Sequence, residues 1–373
     1  MMSPSNAGNS LDRLWLAISG HGHGHLVQLI PIVRALRARY PDLVLAVQSS
    51  LPASLLQQSF GDELEIHDEL ADFGMVMSGP MNVLPAESLA AYQRFHENWS
   101  EHLEAQLALF HEFKPDLVIG DIPYLPLAAA KRYAIPSMAV CSLNWADILE
   151  HYCGELEGAD EIVEVIRSHY AAADVFLQPE PSMPMATLEN TEAIGPLVVV
   201  GQSRRGELQQ ALCLHAAQRL VLLTLGGISG QLDLGQWPVF DDTVFLVPET
   251  WLNDVSSPLD VDRYRSIEST ELSYADLFAS CDAMITKAGY GAFVGAGCCG
   301  LPILYAERGD WPEEPWLVSW LQRVGRAESI DWQTLSQGEF QAALDALLQQ
   351  SPKPAAEANG AAMALEHIET LFR

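Results

Sequence analysis

One pattern recurs from end to end of the chain. A short apolar run is followed by a turn rich in glycine or ending in an acid, and then by residues at helical spacing. Residues 13–19 (RLWLAIS) give way to Leu26, Leu29, Ile30, Val33 and Leu36, which fall on one face of a helix. Pro31 interrupts that face, so the helix is expected to start near it or kink there. Further buried-strand runs occur at 43–49, 115–121, 137–142, 218–227, 242–248, 282–286 and 301–307. Between them lie helical stretches at 86–113, 125–133 and 274–281, then a helix of small residues, GYGAFVGAGCCG, and a terminal helix at 354–372. Alternating strands and helices predict an α/β chain, its parallel sheets covered by helices on both faces.

A chain of 373 residues exceeds one ordinary core, which predicts two domains. The style of the sequence changes at the Gly195-Pro196 step, before a polar stretch with two arginines. The expected divisions are a disordered tail at 1–12, a first doubly wound domain at 13–195, a second at 196–353 and a terminal helix at 354–373. Two such halves would face each other across a cleft, with the carboxyl edges of both sheets lining it, where ligands bind in this architecture. The formal net charge of −29 argues against nucleic acid or an anionic membrane as partner, since phosphate backbones need clustered cations. No run of 18 apolar residues occurs, and six scattered cysteines lack a CxxC pair. Reduced thiols in the cytoplasm are the expectation.

Two stretches carry chemistry. In SGHGHGH the first strand ends among alternating glycines and histidines, His21, Gly22, His23, Gly24 and His25. Three readings stand beside one another. The histidines are metal ligands, fillers of a turn, or contain a base. No Cys or carboxylate follows at ligand spacing, so no metal is expected. Glycines let the backbone approach a ligand closely, and a neutral imidazole can take a proton from a hydroxyl. Such a base works better with a carboxylate on its other nitrogen. Asp121, at the end of the 115–121 strand, is the candidate, with helix N-capping as its alternative.

The second stretch, residues 285–317, places Lys287, Gly289, Tyr290 and Gly291 at the start of the small-residue helix, with Glu313 and Glu314 after the next strand. A helix N-terminus with close backbone approach suits a phosphate. The glutamates would equally serve to favour a helix dipole. Gly226 and Gly227 form a matching pair at the end of an earlier strand.

Together, SGHGHGHLVQLIPIVRAL, Asp121 and TKAGYGAFVGAGCCGLPILY…EEP resemble the GT-B glycosyltransferases, over nearly the whole chain. Within that group the sequence is similar to UDP-glycosyltransferases, to the peptidoglycan N-acetylglucosaminyl transferase, and to the glycosyltransferase-like N-terminal region of plant L-arabinokinase. The resemblance implies two Rossmann-like domains, the first binding an acceptor and the second a nucleotide sugar, with a UDP-sugar as the expected donor. It implies that His25, directly before the first helix, is the base, with Asp121 as its acid partner. The turn at His21, Gly22, His23 and Gly24 would lie on the acceptor side. Gly226, Gly227, Lys287, Gly289, Tyr290 and Gly291 would approach the diphosphate, and Glu313 and Glu314 the donor sugar. Activity would be an inverting, metal-independent transfer to a small acceptor hydroxyl, without a cofactor. An epimerase or hydrolase acting on nucleotide sugars, or a silent binding protein, are the alternatives.

One position departs from the resemblance. Such enzymes carry a ribose-binding Glu where this chain has Gly295. Loss of a charge-assisted hydrogen bond costs on the order of 1.5–3 kcal/mol, and Gly295→Glu is expected to restore nucleotide binding.

Overall fold

The computed structural model describes residues 11–79, 82–215, 217–226, 232–253, 259–260 and 262–372. The chain divides into two compact units. One runs to Leu197 and takes in the segment from Asn359 onward; the other is Val198–Ala358. Each is a parallel sheet with helices.

The first sheet contains β1 (Arg13–Ile18), β2 (Val44–Gln48), β3 (Glu65–His67), β4 (Leu117–Asp121), β5 (Ser137–Val140), β6 (Val175–Pro179) and β7 (Thr191–Ile194), in the order β3-β2-β1-β4-β5-β6-β7. Its central strands are buried along their length, Leu14 to Ile18 in β1 and Leu117 to Asp121 in β4. That is why they read as continuous apolar runs rather than alternating ones. Trp15, fully buried, packs edge-on against Phe110 and Phe113 and donates its indole N–H to Gln48 Oε1 at 3.1 Å. Gln48 in turn donates to Gln106 Oε1 at 2.8 Å, so these two side chains carry the polar contact onward within the core.

Several expectations shift. The helix after β1 is His23–Arg39 and runs through Pro31 instead of starting there. The stretch 86–113 is two helices, Pro85–Glu97 and Trp99–Phe113. At the break, the Asn98 side chain donates to the Arg94 carbonyl, competing with the helical ladder. The expected tail at 1–12 lies outside the described residues up to position 10. Its last two residues are ordered structure: Leu11 is buried and the Asp12 amide donates to Asp116. Two helices that periodicity did not flag, Trp145–Cys153 and Ala159–Ala171, lie between β5 and β6 in chain order.

The terminal helix is Gly360–Leu371, starting later than expected, and it packs on the first unit. Arg39 pairs with Glu369 at 2.8 Å, and the Gly360 amide donates to the Pro196 carbonyl.

The second sheet contains β8 (Arg219–Leu223), β9 (Thr243–Val247), β10 (Tyr264–Ser266), β11 (Ala283–Lys287), β12 (Ile303–Ala306) and β13 (Ala327–Ile330), in the order β10-β9-β8-β11-β12-β13. Its core is aromatic on one side, where Trp237, Phe240, Phe245 and Phe340 pack ring on ring. Among the described residues no helix is long and apolar enough to cross a membrane.

Candidate functional site

In both sheets the strand order reverses once, between β1 and β4 in the first and between β8 and β11 in the second. Chains leaving neighbouring strands in opposite directions open a crevice at the carboxyl ends. The candidate residues gather at these two points.

In the first unit, Ile18 of β1 is in register with Asp121 of β4, and the Ser19 amide donates to the Asp121 carbonyl at 2.8 Å. His25 stands opposite. It is the third residue of the helix rather than the residue before it, because the helix begins at His23 behind an extended Gly22. Its ring is buried and Nδ1 lies 2.8 Å from Asp121 Oδ1. An ionised carboxylate can only accept, so Nδ1 carries the proton and Nε2 the lone pair. That is the tautomer a base needs.

The rest of the turn divides by role. His21 packs edge-on to Trp145, with ring centroids 5.1 Å apart, and lies against Gly74. Gly74 has φ +65, and a Cβ there would meet His21 Nδ1 at 2.6 Å, so a larger residue would displace the ring. His23 is exposed in the first helical turn. Added Cβ atoms at Gly22 and Gly24 would meet nothing within 4 Å.

Three neighbours of this pair escaped the sequence reading. Cys141, just beyond β5, places Sγ 3.7 Å from His25 Nδ1. His25, Asp121 and Cys141 thus offer three buried ligand atoms within 4.8 Å of one another, a cluster hidden by their separation along the chain. The 2.8 Å N–O separation is that of a direct hydrogen bond, which an ion would have to open. Trp145 packs on His25 as well as His21. Asp72, buried in the segment after β3, accepts the Trp145 indole N–H at 2.7 Å. Burial pushes its carboxyl up to about 6, against the opposing pull of that hydrogen bond and of His25.

In the second unit, Gly226 follows β8 with φ +74, and Lys287 ends β11. A Cβ on Gly226 would lie 3.8 Å from Lys287 Cε, so the two sit side by side at the strand-order reversal. Gly227 lies outside the described residues. Burial and the neighbouring Arg308 charge bring the Lys287 ammonium down to about 7, opposed by Glu313 and Glu314. Gly289 is the N-cap of the helix Tyr290–Cys299, which contains Tyr290 and Gly291 in its first turn and has no side-chain cap. The Glu314 carboxylate accepts from the backbone N–H groups of Arg308 and Gly309 at 2.9–3.0 Å. Glu313 accepts from the Trp311 indole at 3.1 Å, and the Arg308 guanidinium lies over the same ring. As placed, both glutamates organise the 308–314 turn.

Gly295 is a correction. A Cβ there would fall 2.1 Å from Phe278 Cε2, and one on Gly297 would fall 2.5 Å from the Trp320 ring. The small residues let two neighbouring helices approach, and a glutamate at 295 has no room to reach a ribose.

No protein-family model matches the chain. It is 25% identical over 315 residues to L-arabinokinase of Arabidopsis thaliana; the match takes in 82% of this chain but spans only 29% of that protein's length. Among solved structures, the calicheamicin glycosyltransferase CalG4 superposes with a TM-score of 0.63 at 15% identity, covering 97% of this chain and 98% of that one. A Listeria monocytogenes protein assigned as a UDP-N-acetylglucosamine 2-epimerase superposes with a TM-score of 0.58 at 13% identity, covering 97% of each chain. Two parallel sheets, each reversing its strand order once, and likeness along nearly the whole length give this chain the fold of the GT-B glycosyltransferases.

Proposed function

We propose that the protein transfers a sugar from a nucleoside diphosphate donor, of which a UDP-sugar is the first choice, to a hydroxyl of a small acceptor, with inversion and without a metal. The observation that carries this reading is the buried His25–Asp121 hydrogen bond at the strand-order reversal of the first sheet. His25 Nε2 takes the acceptor proton while the acceptor oxygen bonds to the anomeric carbon. The bond from that carbon to the diphosphate oxygen breaks, and the pair of electrons leaves with the diphosphate. Asp121 holds the ring by Nδ1 and offsets the imidazolium charge that forms.

On the second unit, Lys287 and the N-terminus of the helix Tyr290–Cys299, with Gly289 as its N-cap and Tyr290 and Gly291 in its first turn, receive the diphosphate. Gly226 lies beside Lys287 at the same strand-order reversal, and the loop held by Glu313 and Glu314 faces the sugar. Six free cysteines support a reducing compartment, the cytoplasm.

Incubation with a panel of nucleotide sugars, with and without hydroxylated acceptors, tests the reading. Nucleoside diphosphate release that requires an acceptor and persists in chelator is expected. Isomerised sugar with no acceptor would replace it with the epimerase reading, and tight nucleotide binding without turnover with that of a binding protein. Activity lost to a chelator and restored by a divalent ion would overturn metal independence.

A further inference from the structure

The His25–Asp121 pair has a neighbour that the chemistry above leaves unused. Asp72 comes from the segment after β3, and its Oδ2 accepts the Trp145 indole N–H. Ser19, the residue that follows β1, also hydrogen-bonds it. The same Ser19 donates its amide to the Asp121 carbonyl. Trp145 in turn packs against the rings of both His21 and His25, at 5.1 and 5.7 Å between centroids. Asp72 is therefore tied to the imidazole by one rigid indole and to its carboxylate partner by one serine.

The surroundings make this costly unless it is used. Asp72 and Asp121 are both buried, and their charges oppose each other. The other titratable groups facing Asp72 or the pair are His21, Cys141, and three buried phenols, Tyr92, Tyr124 and Tyr170, from three separate helices. Burial holds all three phenols well above their usual range, with the Asp72 charge adding to it, so they stay neutral. A second buried carboxylate beside a neutral imidazole is unfavourable, whereas beside an imidazolium it is favourable.

We propose that Asp72 is a positioning residue for the transfer reaction: it fixes Trp145 against the two histidine rings, and its charge favours the imidazolium that His25 becomes on accepting the proton. This rests on the reading of His25 as the base.

Asp72→Asn separates the two parts, since the amide oxygen still accepts from Trp145 while the charge is gone. The acid limb of the kcat/KM profile is expected to move to lower pH by on the order of one unit, with a lower plateau and little change in acceptor KM. Asp72→Ala should show the same displacement together with a raised KM. An Asp72→Asn profile that is lower but has an unmoved acid limb would reduce Asp72 to a structural role and overturn the proposal. Titration of the His25 ring by NMR, assigned with His25→Ala, reads the same displacement without any turnover. If the wild type transfers no sugar, the transferase reading falls, while this comparison still decides the role of Asp72. Should Asp72→Asn not fold, carboxyl-carbon titration of the wild type serves instead. Asp72 and His25 steps that influence each other are expected, and independent single steps would overturn the proposal.

Discussion

The strand-order reversal between β1 and β4 and that between β8 and β11 occupy the same place in two similar sheets, yet they are lined differently. The first holds titratable side chains, His25, Asp121, Asp72 and Cys141, all buried, with Trp145 bonded to Asp72 and packed on His25. The second holds backbone: Gly226 at positive φ, the open N-cap at Gly289, and one lysine brought down to about 7. The architecture supplies two equivalent crevices, and it is the difference in their local residues on which we propose acid–base chemistry for one and an anion for the other. Fold alone would not have separated them.

The largest effect expected from breaking this contrast is at the first crevice. His25→Ala should lower kcat by about 10²–10⁴-fold, with nucleotide affinity at the second unit unchanged. Steady-state kinetics beside calorimetry with UDP checks it. A His25→Ala enzyme with full activity would remove the first crevice from the chemistry. Asp121→Asn should fall in the same range, because an amide can hold Nδ1 in the wrong tautomer.

Next in size is Gly295→Glu. The sequence alone suggested that this change would recover a ribose contact, but Phe278 fills the space at 2.1 Å. Overpacking of this kind costs typically about 1–3 kcal/mol, so urea unfolding should show a lower midpoint and calorimetry no gain in nucleotide affinity. A tighter-binding, equally stable variant would mean that the ring gives way and that the helix does face the nucleotide.

That reversal shows what the sequence could and could not convey. Strand ends were legible because central parallel strands are continuous apolar runs, so Asp121 and Lys287 stood out as the polar residues that stop them. His25 was legible from its glycine setting, although its place inside the helix was not. Asp72 and Trp145 lie 47 and 120 residues from His25. Neither sits in a periodic pattern that would announce it, and only the fold brings them together. Gly295 misled because a small residue looks the same in sequence whether it clears space for a ligand or for Phe278. The return of the terminal helix to the first unit was hidden for a similar reason, since an amphipathic helix does not name the surface it covers.

A smaller effect concerns charge in the second crevice. With Lys287 down to about 7, its amine is partly neutral at physiological pH. A bound diphosphate would favour the ammonium, so binding near pH 7–8 should take up protons, and affinity should fall as pH rises above 7. Calorimetry in two buffers of different ionisation enthalpy measures the uptake, and Lys287→Met should abolish it. The sign for stability follows from the same depression. The unfolded chain, with an ordinary lysine, binds more protons between about pH 7 and 10, so stability from this group rises with pH across that window. The wild type should therefore gain on Lys287→Met in urea midpoint between pH 7 and 9. Parallel pH dependence in the two proteins would place the lysine in contact with solvent and remove it from the anion site.

The smallest expected effect is the most discriminating between backbone and ligand. Gly226 and Gly289 belong to the same crevice, but they are glycines for different reasons. Gly226 has φ +74, so Gly226→Ala should cost roughly 1–2 kcal/mol from the left-handed backbone alone. A Cβ there makes only an ordinary 3.8 Å contact with Lys287. Gly289 is extended, at φ −172, and a Cβ would meet nothing within 4 Å. Gly289→Ala should therefore lower the unfolding midpoint only by the preference of an N-cap for Gly over Ala, about 1 kcal/mol. If a phosphate approaches this N-cap, the new methyl group stands in its path, and UDP affinity should drop by more than that small loss of stability accounts for. Gly22→Ala is the matching change in the first unit, where a Cβ also meets nothing within 4 Å. It should spare UDP binding and raise acceptor KM. Loss of UDP affinity in Gly22→Ala and its retention in Gly289→Ala would exchange the assignments of the two crevices, because neither variant disturbs the packing of its own unit.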